Sequence, residues 1–176
     1  MNIFETFAEC SIALAGFGAV HAALQGSTGP RGAFRALFVV TQGGIAFILS
    51  LLPLLFDLSS MSHEQLWRVA SIFGVAGLGV ATYSEFVIDI RMTRLGHAPQ
   101  APFIIRTAQT LNSVALLAML INLIGWPWNP DVLPYSSGII LMLMAGLLAL
   151  VHSFLVPVQI ALSGKDSGQS QEPPAA

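Results

Sequence analysis

Charge is what this sequence has least of. Only 9% of its 176 residues are Asp, Glu, Lys or Arg, against about a quarter in soluble domains. With 55% hydrophobic residues, there are too few charges to build a soluble surface, and the solvent for most of the chain must be lipid. The net charge of −2 leaves no basic footprint for nucleic acid, which is not expected as a partner. Cysteine is nearly absent as well. Cys10 stands alone, which excludes an intramolecular disulfide. No CxxC, HExxH or His/Cys cluster marks a metal, and no P-loop or haem-attachment motif marks a cofactor, so neither is expected. No basic residue precedes Arg31, whereas Glu5 and Glu9 do. A secretory signal begins with a basic stretch, so the first apolar segment reads as a retained helix.

Long apolar runs are what the chain does have. Residues 10–30, 36–56, 69–84, 107–130 and 132–164 carry no Asp, Glu, Lys or Arg. Turn-forming clusters separate them: Gly26–Pro30, Asp57–Ser60, Gly96–Pro99 and Trp126–Pro130. Ser62, with His63 and Glu64, is placed to cap the third helix. The expectation is an all-α bundle of five transmembrane helices at about 3–24, 33–56, 64–92, 103–125 and 135–161, within one domain spanning residues 1–163. A polar tail, 164–176, is expected to be disordered.

Orientation follows from basic residues near helix ends. Arg31, Arg35, Arg91, Arg94, Arg106 and Lys165 fall on one side, and only Arg68 falls on the other. The N-terminus is therefore expected outside and the C-terminus in the cytoplasm. Trp67, Trp126 and Trp128, with Tyr135 nearby, fall at the expected outer interface as an aromatic belt.

Polar residues inside such helices are costly and point to function or to interhelical contacts. The third charge-free run has 16 residues, about 24 Å of helix, which is short of a roughly 30 Å hydrocarbon core. Arg68 can snorkel outward, but Glu85 is left near the inner edge. Asp89 follows one turn later on the same face. The expected cluster joins Glu85 and Asp89 to Arg106, Arg35, Gln109 and His21, as a structural ion pair, as a site handling protons or a ligand, or as a solvated helix end. Glu5 and Glu9 share a face near the outer surface, where they complement the helix dipole or take up a proton or cation. Gln42 lies near the midplane between the two acidic pairs. His152 could act as a metal or haem ligand, with His21 as a second axial candidate. Small residues, Gly16, Gly18, Gly43, Gly44, Gly74 and Gly77, suggest that helices 1–3 pack as a tight centre, with helices 4 and 5 as lipid-facing flanks. Alternatively, Gly43-Gly44 could break the second helix and free carbonyls to line a cavity.

The run Ala8-Glu9-Cys10-Ser11-Ile12-Ala13-Leu14-Ala15-Gly16-Phe17-Gly18-Ala19-Val20 resembles the first helix of small uncharacterised bacterial multi-span inner-membrane proteins. The resemblance implies that location and no activity. Three functions are compatible with the residues. One is a packing subunit in a homo-oligomer or with other membrane subunits. A second is a channel or transporter for protons, cations or a small solute. The third is a membrane-embedded redox protein. No nucleophile, base and orienting group can be named together, which speaks against an enzyme.

Topology is directly testable with single cysteines in a Cys10→Ser background. A cysteine at Ser60 should react with an impermeant reagent from outside, and one at Gly96 only from the cytoplasmic side. The reverse pattern would invert the orientation.

Overall fold

The computed structural model describes residues 3–25, 29–57, 61–96, 102–125 and 130–168. They form five helices: α1 Ile3–Gln25, α2 Gly29–Asp57, α3 His63–Arg94, α4 Pro102–Ile124 and α5 Val132–Gly168. Each is long and apolar enough to cross a membrane, and no strand occurs among the described residues. The protein is a multi-pass helical membrane protein.

The helix ends follow from local chemistry. Ser62 caps α3: its hydroxyl accepts from the Gln65 amide at 3.4 Å, and the Gln65 side chain accepts from the Ser62 amide at 3.2 Å. Gln65, rather than Glu64, completes the capping box. Gly96 and Gly125 follow α3 and α4 at φ +81° and +72°, where a side chain would be strained. Two helices begin earlier than expected because each takes a proline into its first turn. Pro30 is the second residue of α2 and Pro134 the third of α5. First-turn amides have no intrahelical acceptor, so a missing N–H costs nothing there. Asp131 caps α5 by accepting from the Val132 amide at 2.6 Å. At its other end α5 continues through Gly168, so residues 164–168 are helical rather than part of a disordered tail. Residues 169–176 lie outside the described residues, as do Trp126 and Trp128 of the expected belt.

Helices α2 to α5 form a ring in which each packs on its chain neighbours and α5 closes back on α2. α1 lies outside that ring against α2 and α5, and its backbone approaches neither α3 nor α4 among the described residues. This corrects the expectation of a centre made by helices 1–3. α5 is the most enclosed helix: half of its most apolar window is buried, against 33% for α1 and 28% for α3 and for α4. Tyr135, Ile139, Met142 and Ala145 form its fully buried stripe. A Leu- and Met-rich helix suits a protein interior and a lipid tail equally well, so its apolarity could not say which it would face.

Close approach is confined to some of the glycines. A methyl group at Gly43 would lie 2.8 Å from the Ala15 nitrogen and the Ser11 carbonyl oxygen of α1. One at Gly18 would lie 2.7 Å from Val39, and one at Gly74 would collide with Met119. Gly77 makes only ordinary contact with Ile45, and Gly16 and Gly44 face open space. α2 runs unbroken through Gly43 and Gly44, so the alternative of a broken helix does not hold.

At the end opposite the arginine-rich connections, the starts of α1, α3 and α5 converge. The Phe4 ring lies 5.7 Å from that of Trp67, and Trp67 lies 5.5 Å from Tyr135. Trp67 and Tyr135 are buried, so they pack inward rather than forming a lipid-facing belt. The Tyr135 hydroxyl has a further partner: it donates to the Leu49 carbonyl at 2.7 Å. Pro53, four residues on in the same helix, has no N–H to offer that carbonyl. In hydrocarbon a freed carbonyl must find another donor, and Tyr135 supplies it.

Tyr135→Phe should therefore lower stability by roughly 1–3 kcal/mol, measured by unfolding in detergent micelles. In a Pro53→Ala background, where position 53 regains its N–H, the loss should shrink toward zero. Equal losses in both backgrounds would show that the hydroxyl does not stand in for the missing amide.

Candidate functional site

The ring of helices surrounds one acidic side chain. Glu85 of α3 is only 7% exposed. Its Oε1 accepts from Gln42 Nε2 of α2 at 2.9 Å, and its Oε2 from Asn112 Nδ2 of α4 at 3.3 Å. Gln42 and Asn112 are fully buried. One carboxylate thus ties three helices together. No arginine or lysine lies within ion-pairing distance of it among the described residues, which corrects the ion-pair expectation. Glu85 is level with Gln42 of α2 and lies nine residues before the end of α3 (94 − 85).

A cavity of about 50 Å³ adjoins the carboxylate on the side of the arginine-rich connections, hereafter the basic end. A single water needs roughly 10–15 Å³ of such space, so a few waters fit. Its polar walls are Glu85, Arg35 of α2, Gln109 of α4 and His152 of α5, set among Phe34, Phe38, Ile104 and Ile105. Toward the opposite end the interior is filled. Ala46, Leu49, Leu78, Met119, Ile139 and Met142 are at most 2% exposed there.

Two expected partners of Glu85, Arg35 and Gln109, therefore line its cavity. The others do not. Arg106 is exposed and lines a separate groove between α3 and α4. Asp89 is half-buried and outside the cavity wall. His21 is buried against Phe154, with ring centres 4.2 Å apart, and it does not line the cavity that His152 lines. Glu5 and Glu9 are exposed on α1, a helix whose backbone does not approach α3, so the two acidic pairs do not face a common interior. No family model matches the chain, and neither does any curated protein or solved structure.

Asn112 lies on α4 beside the face that carries Arg106, Gln109 and Ser113. A signal for its depth is present. Glu85 lies nine residues before the end of α3 (94 − 85), and Asn112 ten after the start of α4 (112 − 102). In an antiparallel helix pair, equal distances from the connection mean equal depth. Ser71 and Asn122 repeat the pattern nearer the opposite end, where Asn122 Nδ2 donates to Ser71 Oγ at 2.9 Å. Asn122 Oδ1 accepts from the Asp131 amide at 2.8 Å, joining this pair to the α5 cap.

The amides around Glu85 can serve either protonation state. Gln42 Oε1 and Asn112 Oδ1 are buried and lack a partner among the described residues. As drawn, the amides donate N–H to a carboxylate. A half-turn of either presents its oxygen to a carboxylic O–H. The arrangement can hold a proton, or a small cation drawn to the carboxylate, beside a space that admits water.

Gln42→Ala and Asn112→Ala should each cost roughly 1–3 kcal/mol, since each leaves a buried carboxyl oxygen without its donor. Denaturation in micelles tests this. Wild-type stability in both variants would mean that the bonds contribute nothing.

Proposed function

We propose that the protein is a proton-handling component of the bacterial inner membrane, in which Glu85 exchanges a proton with the cytoplasmic face. The carrying observation is that the buried Glu85 carboxylate is held by two amides rather than a cation, beside a cavity shared with Arg35, Gln109 and His152. An intramembrane acid with neutral partners and access to water is the usual equipment of a proton relay. The basic end faces the cytoplasm by the distribution of arginines, so exchange runs to that side. Passage across the membrane requires a second arrangement in which the packed half beyond Glu85 opens. The same acid in a water-accessible cavity serves a cation or small-solute transporter equally well, and the carboxylate is then the coupling group.

One observation favours a second reading, a packing subunit in a homo-oligomer or larger membrane complex. Glu9 is exposed on α1, six residues into the first candidate span, and has no hydrogen-bond or ion-pair partner among the described residues. A carboxylate that meets lipid is costly, and a neighbouring subunit supplying a donor would remove that cost.

Proteoliposomes with a trapped pH dye and an imposed gradient test the first reading. Wild-type protein should admit protons, Glu85→Gln should lose at least about tenfold of that rate while still running as folded protein on gel filtration, and Glu9→Gln should match wild type. Wild type that admits none, or a folded Glu85→Gln variant that conducts normally, sinks the proton reading. An oligomer that dissociates in Glu9→Gln supports the second.

A further inference from the structure

A second concavity lies on the outer surface, and Gln109 is a wall it shares with the Glu85 cavity. It is an open groove of about 780 Å³ between α3 and α4, lined by Gly79, Tyr83 and Phe86 on one side and by Arg106, Thr110 and Leu117 on the other. That volume is in the range of pockets that hold small-molecule ligands. Gly79 leaves the floor open: a methyl group there would meet only Leu116, at 4.0 Å.

The groove is polar at its basic end and apolar below. Arg106 is exposed, and its guanidinium has no hydrogen-bond or ion-pair partner among the described residues. It sits four residues into α4, about 6 Å from the helix start, near the end of the candidate span that begins at Phe103. Two of the deeper hydroxyls already have acceptors, while that of Thr82, also in the wall, has no partner among the described residues. Thr110 donates to the Arg106 carbonyl at 2.8 Å and Ser113 to the Gln109 carbonyl at 2.8 Å. Below the cation the walls are Val114, Leu116, Leu117 and the exposed rings of Tyr83 and Phe86. From Arg106 to Leu117 the groove follows α4 for eleven residues, about 16 Å, the depth of one leaflet of a roughly 30 Å core.

We infer that this groove binds an anionic phospholipid, with its phosphate on Arg106 and an acyl chain along Gly79 and Leu117. A basic site between transmembrane helices at the headgroup level is suited to acidic lipid. Guanidinium pairs with phosphate through two parallel hydrogen bonds, which a lone ammonium cannot do. Charge complementarity argues against a second copy of the chain as occupant. The exposed carboxylates Glu5, Glu9 and Glu64 lie at the opposite end of the bundle, so a copy in the same orientation brings none of them level with Arg106, and Asp89 at the basic end is half-buried and already engaged.

The test uses delipidated full-length protein in a neutral detergent, titrated with phosphatidylglycerol, phosphatidylcholine or glycerol phosphate and read by native mass spectrometry. Phosphatidylglycerol should bind at least about tenfold more tightly than phosphatidylcholine, the scale of a charge-assisted contact. Arg106→Gln should abolish that preference. Arg94→Gln, which removes an exposed arginine at the same end outside the groove, should keep it. Gly79→Leu fills the groove without touching the charge and should weaken both lipids, which keeps the test decisive if Arg106→Gln fails to fold. Equal affinity for the two lipids, or a preference lost equally in Arg94→Gln, overturns the inference. Glycerol phosphate binding as tightly as the lipid would assign a free-anion site instead. A lipid-independent dimer that Gly79→Leu disrupts would assign the groove to a second copy.

Discussion

The carboxylate of Glu85 organises the bundle. It sits where α2, α3 and α4 face one another, and each of its oxygens is held by an amide from a different helix. A carboxyl group in the interior of a membrane protein cannot be left without donors, so the relative depths of these helices are constrained to whatever brings Gln42 and Asn112 to it. The apolar packing of Leu78, Met119, Ile139 and Met142 has no comparable preference for register, because it has no directionality.

The same accounting governs the rest of the molecule. Lipid offers no hydrogen bonds, so most polar groups inside it are matched by another. Pro53 frees the Leu49 carbonyl, and Tyr135 reaches across from α5 to bond it. Ser71, Asn122 and the Asp131 amide form a chain that ties α3, α4 and the start of α5. Ser50, Thr107, Thr110 and Ser113 return their hydroxyls to carbonyls four residues back in their own helices. Four buried side-chain atoms lack partners among the described residues: His21 Nε2, Thr82 Oγ1, Gln42 Oε1 and Asn112 Oδ1. The last two belong to the Glu85 site, beside the cavity with Arg35 and His152.

The two concavities divide the arginines of the basic end. Arg35 turns inward to the small cavity, and Arg106 turns outward to the α3–α4 groove. They had been grouped with Glu85 because all lie at compatible depths along their helices. Depth can be counted along a sequence, but the side of the helix that meets a neighbour depends on which helices are neighbours. The same distinction separates Glu5 and Glu9 from the interior: they lie on the right helix turn for an acidic pair, yet on the face of α1 turned away from the bundle.

Five spans, their approximate limits and the cost of placing Glu85 among apolar residues were determined by the sequence alone. These properties depend on local composition and on the length of helix needed to cross a bilayer. The helix starts that were missed, near Pro30 and Pro134, turned on whether a proline fell within a first turn, which a few residues' shift decides, and the end at Gly168 lies in a polar stretch that no apolar pattern marks. The order of the helices was settled only in three dimensions. It placed α5 inside and α1 outside, turned Trp67 and Tyr135 inward, left Gly16 and Gly44 facing open space, and replaced an expected arginine by two amides at Glu85. The physical reason is that apolar residues are equally at home against lipid and against protein. Hydropathy therefore says that a helix is in the membrane, while only the pairing of its few polar groups and close-packed glycines says what it faces there.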